Sequence, residues 1–521
     1  MTATPCSFAC ALPGSLPQTA GRWLSLGTTQ SDSPIDHGGA WAARARPCQR
    51  HPVLFLAALF WGACSWSAVR AQELQSLRAD PSGHFLMTED GKPFVWQGDT
   101  LWGALSLRPA EVDHYLDTRN AQGFNVIQIM AHRNDYAGHP PFATTNPVSL
   151  NEAHWAYLDS LVAKAAARNM YVCLFLMWGQ NADTFFPDPY HNNYHYGKLV
   201  GQRYAGNNAV LLAGSGEYHK IVAPDDWTTL LTPEQVTLVA RIGEGLQAGH
   251  GGTRLDTMHP NAGGNKHATG SSSQHFHSSP WLDFHMIQTW GDINAVRSGI
   301  SMVSSDYRRT PAKPTLNGEP GYEDRHLHDR QHDGIIDAWH CRVEAYWALF
   351  SGACGHTYGN SFVYFASPTW KRALHATAAD DMRHWRRLLE SRPVLIREPC
   401  SNLILSSRGS IAGSALREPG DYRLATRAAD GSYAFVYSTR GLGFTLDMSQ
   451  ISGSQANAWW YNPRDGKCYD NSGNATTSPL GAFATSGTRT FDPPGEKGKD
   501  NDWVLILDDA SRGYGVPFRE S

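Results

Sequence analysis

What the chain lacks narrows its chemistry first. Its 521 residues contain no C-x-x-C pair, which argues against zinc ribbons and thioredoxin-like exchange. There is no H-E-x-x-H and no G-x-S-x-G, so a zinc protease and an elbow-type serine hydrolase are without their signatures. No G-x-G-x-x-G follows a strand-like run, which removes the phosphate turn expected of a dinucleotide-binding sheet. Charge of one sign is also scarce: the net value is −4, with 18% charged residues. No polybasic face for nucleic acid follows from that.

Long apolar runs are missing too, with one near-exception. Arg44, Arg46 and Arg50 precede "VLFLAALFWGACSWSA", and "AVRAQ" follows it. A basic stretch, an apolar core and small residues before a cut are the layout of a secretory signal. The run is shorter than the roughly 20 apolar residues a spanning helix needs. Residues 1–71 are therefore expected to be leader and signal peptide, with cleavage near Ala71, no stable membrane anchor afterwards, and a secreted or periplasmic destination. Removing five Arg and two Asp leaves the mature chain near −7, and of nine cysteines five remain: Cys173, Cys341, Cys354, Cys400 and Cys468. Cys173 and Cys354 lie in apolar runs and read as small buried hydrophobes.

What is present is a rhythm. Short β-prone runs at 93–100, 124–132, 170–179, 208–217, 254–260, 282–291, 313–320 and 352–360 alternate with amphipathic stretches such as "PAEVDHYLDTRNAQG" and "TPEQVTLVARIGEGLQAG". Strands apolar throughout are covered on both faces, as in a parallel sheet wrapped by helices. Eight of them predict an α/β fold, a (β/α)8 barrel over 73–400. Past residue 400 the pattern changes to alternating strands broken by D-G, R-G and P-R-D-G turns, which predicts a smaller antiparallel β-sandwich over 405–521.

In such barrels chemistry sits at the C-terminal strand ends. In chain order those ends deliver Asp99, His132, Trp178, Glu217, His259, Gln288, Glu319, and His356 with Tyr358. Glycoside hydrolysis needs two carboxyl groups flanking one bond, one to protonate the leaving oxygen and one to attack or to activate water. Glu217 and Glu319, on strands four and seven, face each other across a closed eight-strand mouth. Glu217 is the expected acid/base and Glu319 the expected nucleophile. Glu323, four residues on, competes with Glu319 but lies in the following loop. Asp99, Trp102, His132, Trp178, His259, Gln288, Tyr322, His356 and Tyr358 are the candidate substrate-binding residues, with the tryptophans suited to stacking on sugar rings. Asp99 would hold a sugar hydroxyl or a partner side chain, and His259 and His356 would bond substrate or orient a glutamate. An N-cap role for Asp99, core histidines, and wall packing for the tryptophans are the plainer alternatives. The eighteen tryptophans and twenty tyrosines suit a carbohydrate polymer or oligosaccharide as partner. No cofactor is expected. A metal at "DRHLHDRQHD", with His326, His328 and His332, is conceivable but less favoured than a polar active-site loop.

Six ordered blocks, "GKPFVWQGDTLWGAL", "YLDTRNAQGFNVIQ", "SSSQHFHSSPWLDFHMIQTW", "LNGEPGYED", "YWALFSGACGHTYGN" and "LLESRP", resemble the apiosidase-like glycoside hydrolases of family 140. The likeness runs from about Leu77 to Pro393. The part beyond, with "DYRLATRAADGSYAFVYS" and "AWWYNPRDG", resembles the collagen-binding-type β-domain that often follows that barrel. The resemblance implies release of apiose from pectin side chains by an acid/base on strand four and a nucleophilic glutamate on strand seven. "NGEPGYE" matches the nucleophile motif at Glu319. Strand four departs: the family pattern is Gly-Gly-Asp, whereas this chain has "AGSGEYHK", which makes Glu217 the acid and extends its reach by one methylene. The alternative reading is an inactive secreted protein that binds carbohydrate or matrix.

Overall fold

The structure is a computed structural model that describes residues 74–517, except 133–137, 145, 147, 179–187, 219–230, 263–269, 291–292, 327–333 and 412–418. The leader over 1–71, its cleavage point, and His328 and His332 lie outside the described residues. No helix among the described residues is long and apolar enough to cross a membrane.

Eight parallel strands follow a short antiparallel sheet of three. They are β1 Trp96–Thr100, β2 Val126–Met130, β3 Tyr171–Phe175, β4 Val210–Ala213, β5 Asp256–Thr257, β6 His285–Gln288, β7 Thr315–Glu319 and β8 Gly355–Tyr358. All eight fall inside the runs expected from the sequence. Ladder pairing runs β5-β4-β3-β2-β1-β8-β7-β6. Between β5 and β6 the ladder gives way to three separate bonds: Asp283 N–H donates to the Asp256 carbonyl at 2.9 Å, Asp256 N–H donates to Asp283 Oδ2 at 2.7 Å, and Thr257 Oγ1 donates to the Phe284 carbonyl at 2.7 Å. Short strands and these three bonds make a nearly closed barrel.

The connecting helices are α1 Pro109–Ala121, α2 Glu152–Ala166, α3 Pro189–Tyr204, α4 Pro233–His250, α5 Ile293–Tyr307, α6 Ala338–Phe350 and α7 Thr377–Glu390. Their starts follow from local chemistry. Thr232 accepts from Gln235 N–H while Gln235 Oε1 accepts from Thr232 N–H, a reciprocal cap at the head of α4. Asp337 caps α6 by accepting from His340 N–H at 3.2 Å. Helix α6 is unusual in being buried over nearly its whole circumference, because it touches the barrel on one side and the C-terminal domain on the other.

That domain is built from a large antiparallel sheet, β9 Arg397–Pro399, β10 Arg423–Ala428, β11 Tyr433–Ser438, β13 Gln455–Tyr461, β14 Cys468–Tyr469, β15 Gly481–Ala484 and β17 Trp503–Asp509, and a two-stranded sheet, β12 Phe444–Asp447 with β16 Thr488–Phe491. Its first strand begins at Arg397, inside the range expected to belong to the barrel. Buried ion pairs join the two parts. Arg342 on α6 reaches Asp381 on α7 at 2.7 Å and Asp502 at 2.9 Å, and Arg392 is paired with Asp508 on β17 at 2.6 Å. Tyr346 stacks on Tyr437 with ring centroids 4.6 Å apart. The described residues of the barrel and the β-domain accordingly form one compact unit. All five described cysteines are buried and free.

Candidate active site

Alternation decides which strand residues can reach the barrel interior. On β1, Trp96 donates through Nε1 to Thr357 of β8 at 3.0 Å, inside the barrel. Gln97 and Asp99, one residue out of phase, turn to the helices. On β7 the same rule makes Leu316 inward and Asn317 outward, where Asn317 Nδ2 reaches Thr289 Oγ1 at 3.5 Å. Glu319, two residues later, would also point outward. It does not, because the pairing of β7 with β6 slips by one residue between Asn317 and Glu319. A bulge of this kind re-aims the next side chain. Gly318 sits at the slip, and a Cβ there would lie 2.4 Å from the Met286 side chain, so the turn requires glycine.

Thus directed, the Glu319 carboxylate is buried and gathered by donors. Gln288 Nε2 donates to Oε2 at 2.8 Å. Tyr322 donates its hydroxyl to Oε1 at 2.7 Å and accepts from Trp102 Nε1 at 2.9 Å. Burial, then the charge of Glu319, raises the Tyr322 pKa well above its ordinary value, so it remains a donor. His259 Nε2 lies 3.1 Å from Oε2 but off the line of a hydrogen bond, and Gln288 Oε1 is likewise buried and unbonded. Among the described residues these two polar atoms beside Glu319 have no hydrogen-bond partner, whereas buried polar atoms are normally satisfied.

Glu217 follows β4 in a left-handed backbone conformation, φ 44°. For a residue with a Cβ this costs on the order of 1–3 kcal/mol and is found where surroundings enforce it. The enforcing neighbour is Trp178. Gly216 forms a parallel bridge with Trp178, and a Cβ on Gly216 would overlap the indole at 2.0 Å. The indole lies across the glycine, and its Nε1 donates to Glu217 Oε2 at 3.1 Å. The same ring stands 5.4 Å from the His259 ring and 4.8 Å from Trp102. From Glu217 through Trp178 and His259 to Glu319 the contacts are continuous, so both acids belong to one constellation at the strand ends. Glu217 is partly exposed and Glu319 is buried.

Trp102 is almost fully buried and packs edge-on to Phe175 at 5.0 Å. It holds Tyr322 rather than offering an open face to a sugar. His132 is buried 6.2 Å from Phe142, and burial lowers its pKa to about 4.

Three expected site residues are elsewhere. Asp99 is fully buried in an ion pair with Arg119 of α1 at 2.6 Å, with Tyr115 donating to the same oxygen at 2.5 Å. His356 faces Trp385 of α7, ring centroids 6.5 Å apart, and burial lowers its pKa to about 3. Tyr358 donates to Glu323 Oε2 at 2.5 Å. Register explains all three: His356 pairs with Gln97 and Tyr358 with Asp99, so they share the outward phase. Glu323 is turned away as well, its other oxygen accepting from Ala378 N–H on α7 at 3.0 Å.

Two residues beside the acids were not singled out from the sequence. Arg325 lies 3.6 Å over the Trp290 ring. Burial lowers its pKa, while the charges of Glu319 and Glu217 both oppose that. Trp290 takes φ 48° and donates its N–H to the Glu319 carbonyl at 3.1 Å. The one signal pointing toward Arg325 was its place in the polar loop after β7.

Comparison with known proteins bears on this geometry. Residues 80–395 match the family described as "Apiosidase-like, catalytic domain", and 407–508 match "Putative collagen-binding domain of a collagenase". A glycoside hydrolase family 5 structure from Bacteroides vulgatus superposes with a TM-score of 0.72 at 23% identity, over 86% of this chain and 96% of that one. A second solved structure, titled "Glycoside hydrolase", gives 0.70 at 24% identity, over 84% and 98%. These likenesses show the fold. No curated protein sequence matches the chain. With its catalytic-domain match spanning more than half of the residues, the chain belongs to the apiosidase-like glycoside hydrolase family.

Proposed function

We propose that this glycoside hydrolase cleaves its bond with Glu319 as nucleophile and Glu217 as acid/base, with retention of anomeric configuration. One observation carries the reading: the two acids are joined through Trp178 and His259 but held in unlike surroundings. Glu319 is buried, fixed by Gln288 and Tyr322, and aimed at one point, as an attacking group must be. Glu217 is partly exposed and accepts from the Trp178 indole, and an acid open to solvent on one side suits a group that hands a proton to a leaving oxygen and later takes one from water.

Sugar hydroxyls would complete the two unspent atoms, Gln288 Oε1 and His259 Nε2. A donor to the first and a hydroxyl beside the second would strengthen as charge develops on the ring in the transition state. The substrate is a glycosidic side chain of a polysaccharide, reached after export and removal of the leader near Ala71. Apiose is the sugar suggested by the family, and Glu217 in place of the family's aspartate moves the proton donor outward by one methylene. N-terminal sequencing of the exported protein should begin at Gln72, and a start elsewhere contradicts that part. The mechanism is tested by following the first-formed anomer of a cleaved glycan by proton NMR. Retention is expected, for which carboxyl groups about 5–5.5 Å apart are needed. Inversion would remove Glu319 from the nucleophile's role.

A further inference from the structure

We propose that Glu344, on the outer side of the barrel, is a positioning residue that holds the re-aimed nucleophile in place. The inference rests on the reading of Glu319 given above and concerns a carboxyl group that touches neither substrate nor reacting atoms.

A bulge costs backbone pairing, and the chain after β7 shows how the loss is made good. Glu344 Oε2 accepts from Gly321 N–H at 3.0 Å, two residues beyond the nucleophile. Its Oε1 accepts from the Thr289 hydroxyl. Thr289 and Trp290 in turn donate their N–H groups to the Glu319 carbonyl at 3.0 and 3.1 Å. The segments 288–290 and 319–321 thus clasp each other on the inner side, and one buried carboxylate staples both from behind. One turn earlier on α6, Cys341 Sγ is 4.0 Å from the Gly321 carbonyl, so two residues on one face of α6 meet Gly321 from either side.

Alternation gives the staple its purpose. Without the slip at Gly318, Glu319 would project toward α6. A strand that has been turned against its own phase needs something to stop it from turning back. Glu344 occupies the outward side and fixes the backbone on either side of the turn. A shift of about 1 Å in a reacting group can cost on the order of 100-fold in rate, so a modest loosening here would be felt. Burial of Glu344 is itself unfavourable and raises its pKa to about 6. A chain that retains a destabilising buried acid beside its nucleophile fits a role in function rather than in stability.

The test uses the full chain with Glu344→Met, which fills the space but removes both acceptors, and Glu344→Gln, which retains one acceptor and can donate to Thr289. The expected kcat falls by about 10–100-fold for Met and by less for Gln, with KM within about twofold and no loss of Tm. Crystal structures should show 319–321 displaced from 288–290 in the Met variant. Wild-type kcat in both variants, or a kcat loss that only tracks a loss of Tm, overturns the proposal. Glu319→Gln is assayed alongside. If that variant turns over normally, the nucleophile reading fails, and the crystallographic comparison alone decides: displaced 319–321 supports the staple, superimposable segments refute it.

Discussion

Two groups of strand ends on the same sheet carry similar residue types and do different work with them. At the ends of β3 to β7, Trp178, Glu217, His259, Gln288 and Glu319 converge on one another. At the ends of β8 and β1, His356, Tyr358 and Asp99 turn away and join Arg119, Trp385 and Glu323 in the layer between sheet and helices. Both sets contain ionisable groups, both are mostly buried, and both lie where a barrel places its chemistry. What separates them is the phase of the strand. A polar side chain at a strand end has two destinations, and a one-residue step exchanges them.

The largest expected effect tests the inward set. Glu319→Gln preserves shape and the donors around it but removes the charge that attacks. Loss of an essential nucleophile should lower kcat by at least about 10⁴-fold, roughly 5 kcal/mol of barrier. Far-UV circular dichroism and Tm should be those of the wild type. Turnover within tenfold of the wild type would put the chemistry at another residue and dissolve the contrast.

The outward set should respond the opposite way. Asp99→Asn leaves the Arg119 guanidinium buried without its counter-charge, and breaking one side of such a pair costs about 3–5 kcal/mol. Stability by urea titration should fall by that order, while kcat and KM of the folded fraction stay within about twofold. A kcat loss at unchanged stability would return Asp99 to the site.

Much of this was legible beforehand, and the failures have one cause. The eight strands lie inside the runs read from the sequence because β3 and β4 are continuous apolar segments and the others keep the alternation of short β-prone runs with helices, and caps such as Thr232 with Gln235 mark where helices begin. Strand order is the reason Glu319 and Glu217 were expected near one another, and contacts through Trp178 and His259 join them. Phase was not legible, because where each strand enters its ladder depends on its neighbours. Of the two partners expected for Asp99, a sugar hydroxyl or a neighbouring side chain, the strand phase selects the second; it makes His356 a core histidine and turns Tyr358, expected at the substrate, to Glu323. The slip at Gly318 was equally hidden, since "LNGEP" looks like an unbroken strand end. Arg325 and Trp290 reach the acids through a loop and a left-handed turn, for which spacing gives no rule. The boundary near 405 missed β9 because Arg397–Pro399 pairs with β10, almost thirty residues later.

Glu344 belongs to both sets, facing outward yet acting on the inward one, and its titration offers the finest test of the distinction. Burial raises its pKa from 4.5 to about 6, opposed by bonds from Thr289, Gly321 and Asn317. The folded chain thus binds this proton more tightly than the unfolded chain does. The stability so gained is full below pH 4.5 and is lost as pH rises through about 6, an effect of about 2 kcal/mol. Glu344→Gln cannot titrate. Its stability relative to the wild type should therefore rise by about that amount between pH 4.5 and pH 8, as measured by urea unfolding across the range. If the difference stays flat, the carboxyl group is not desolvated and Glu344 is an ordinary member of the helix-facing layer. If it rises while kcat falls, the residue lowers stability at the pH where it supports turnover, which none of the purely structural acids on that side should do.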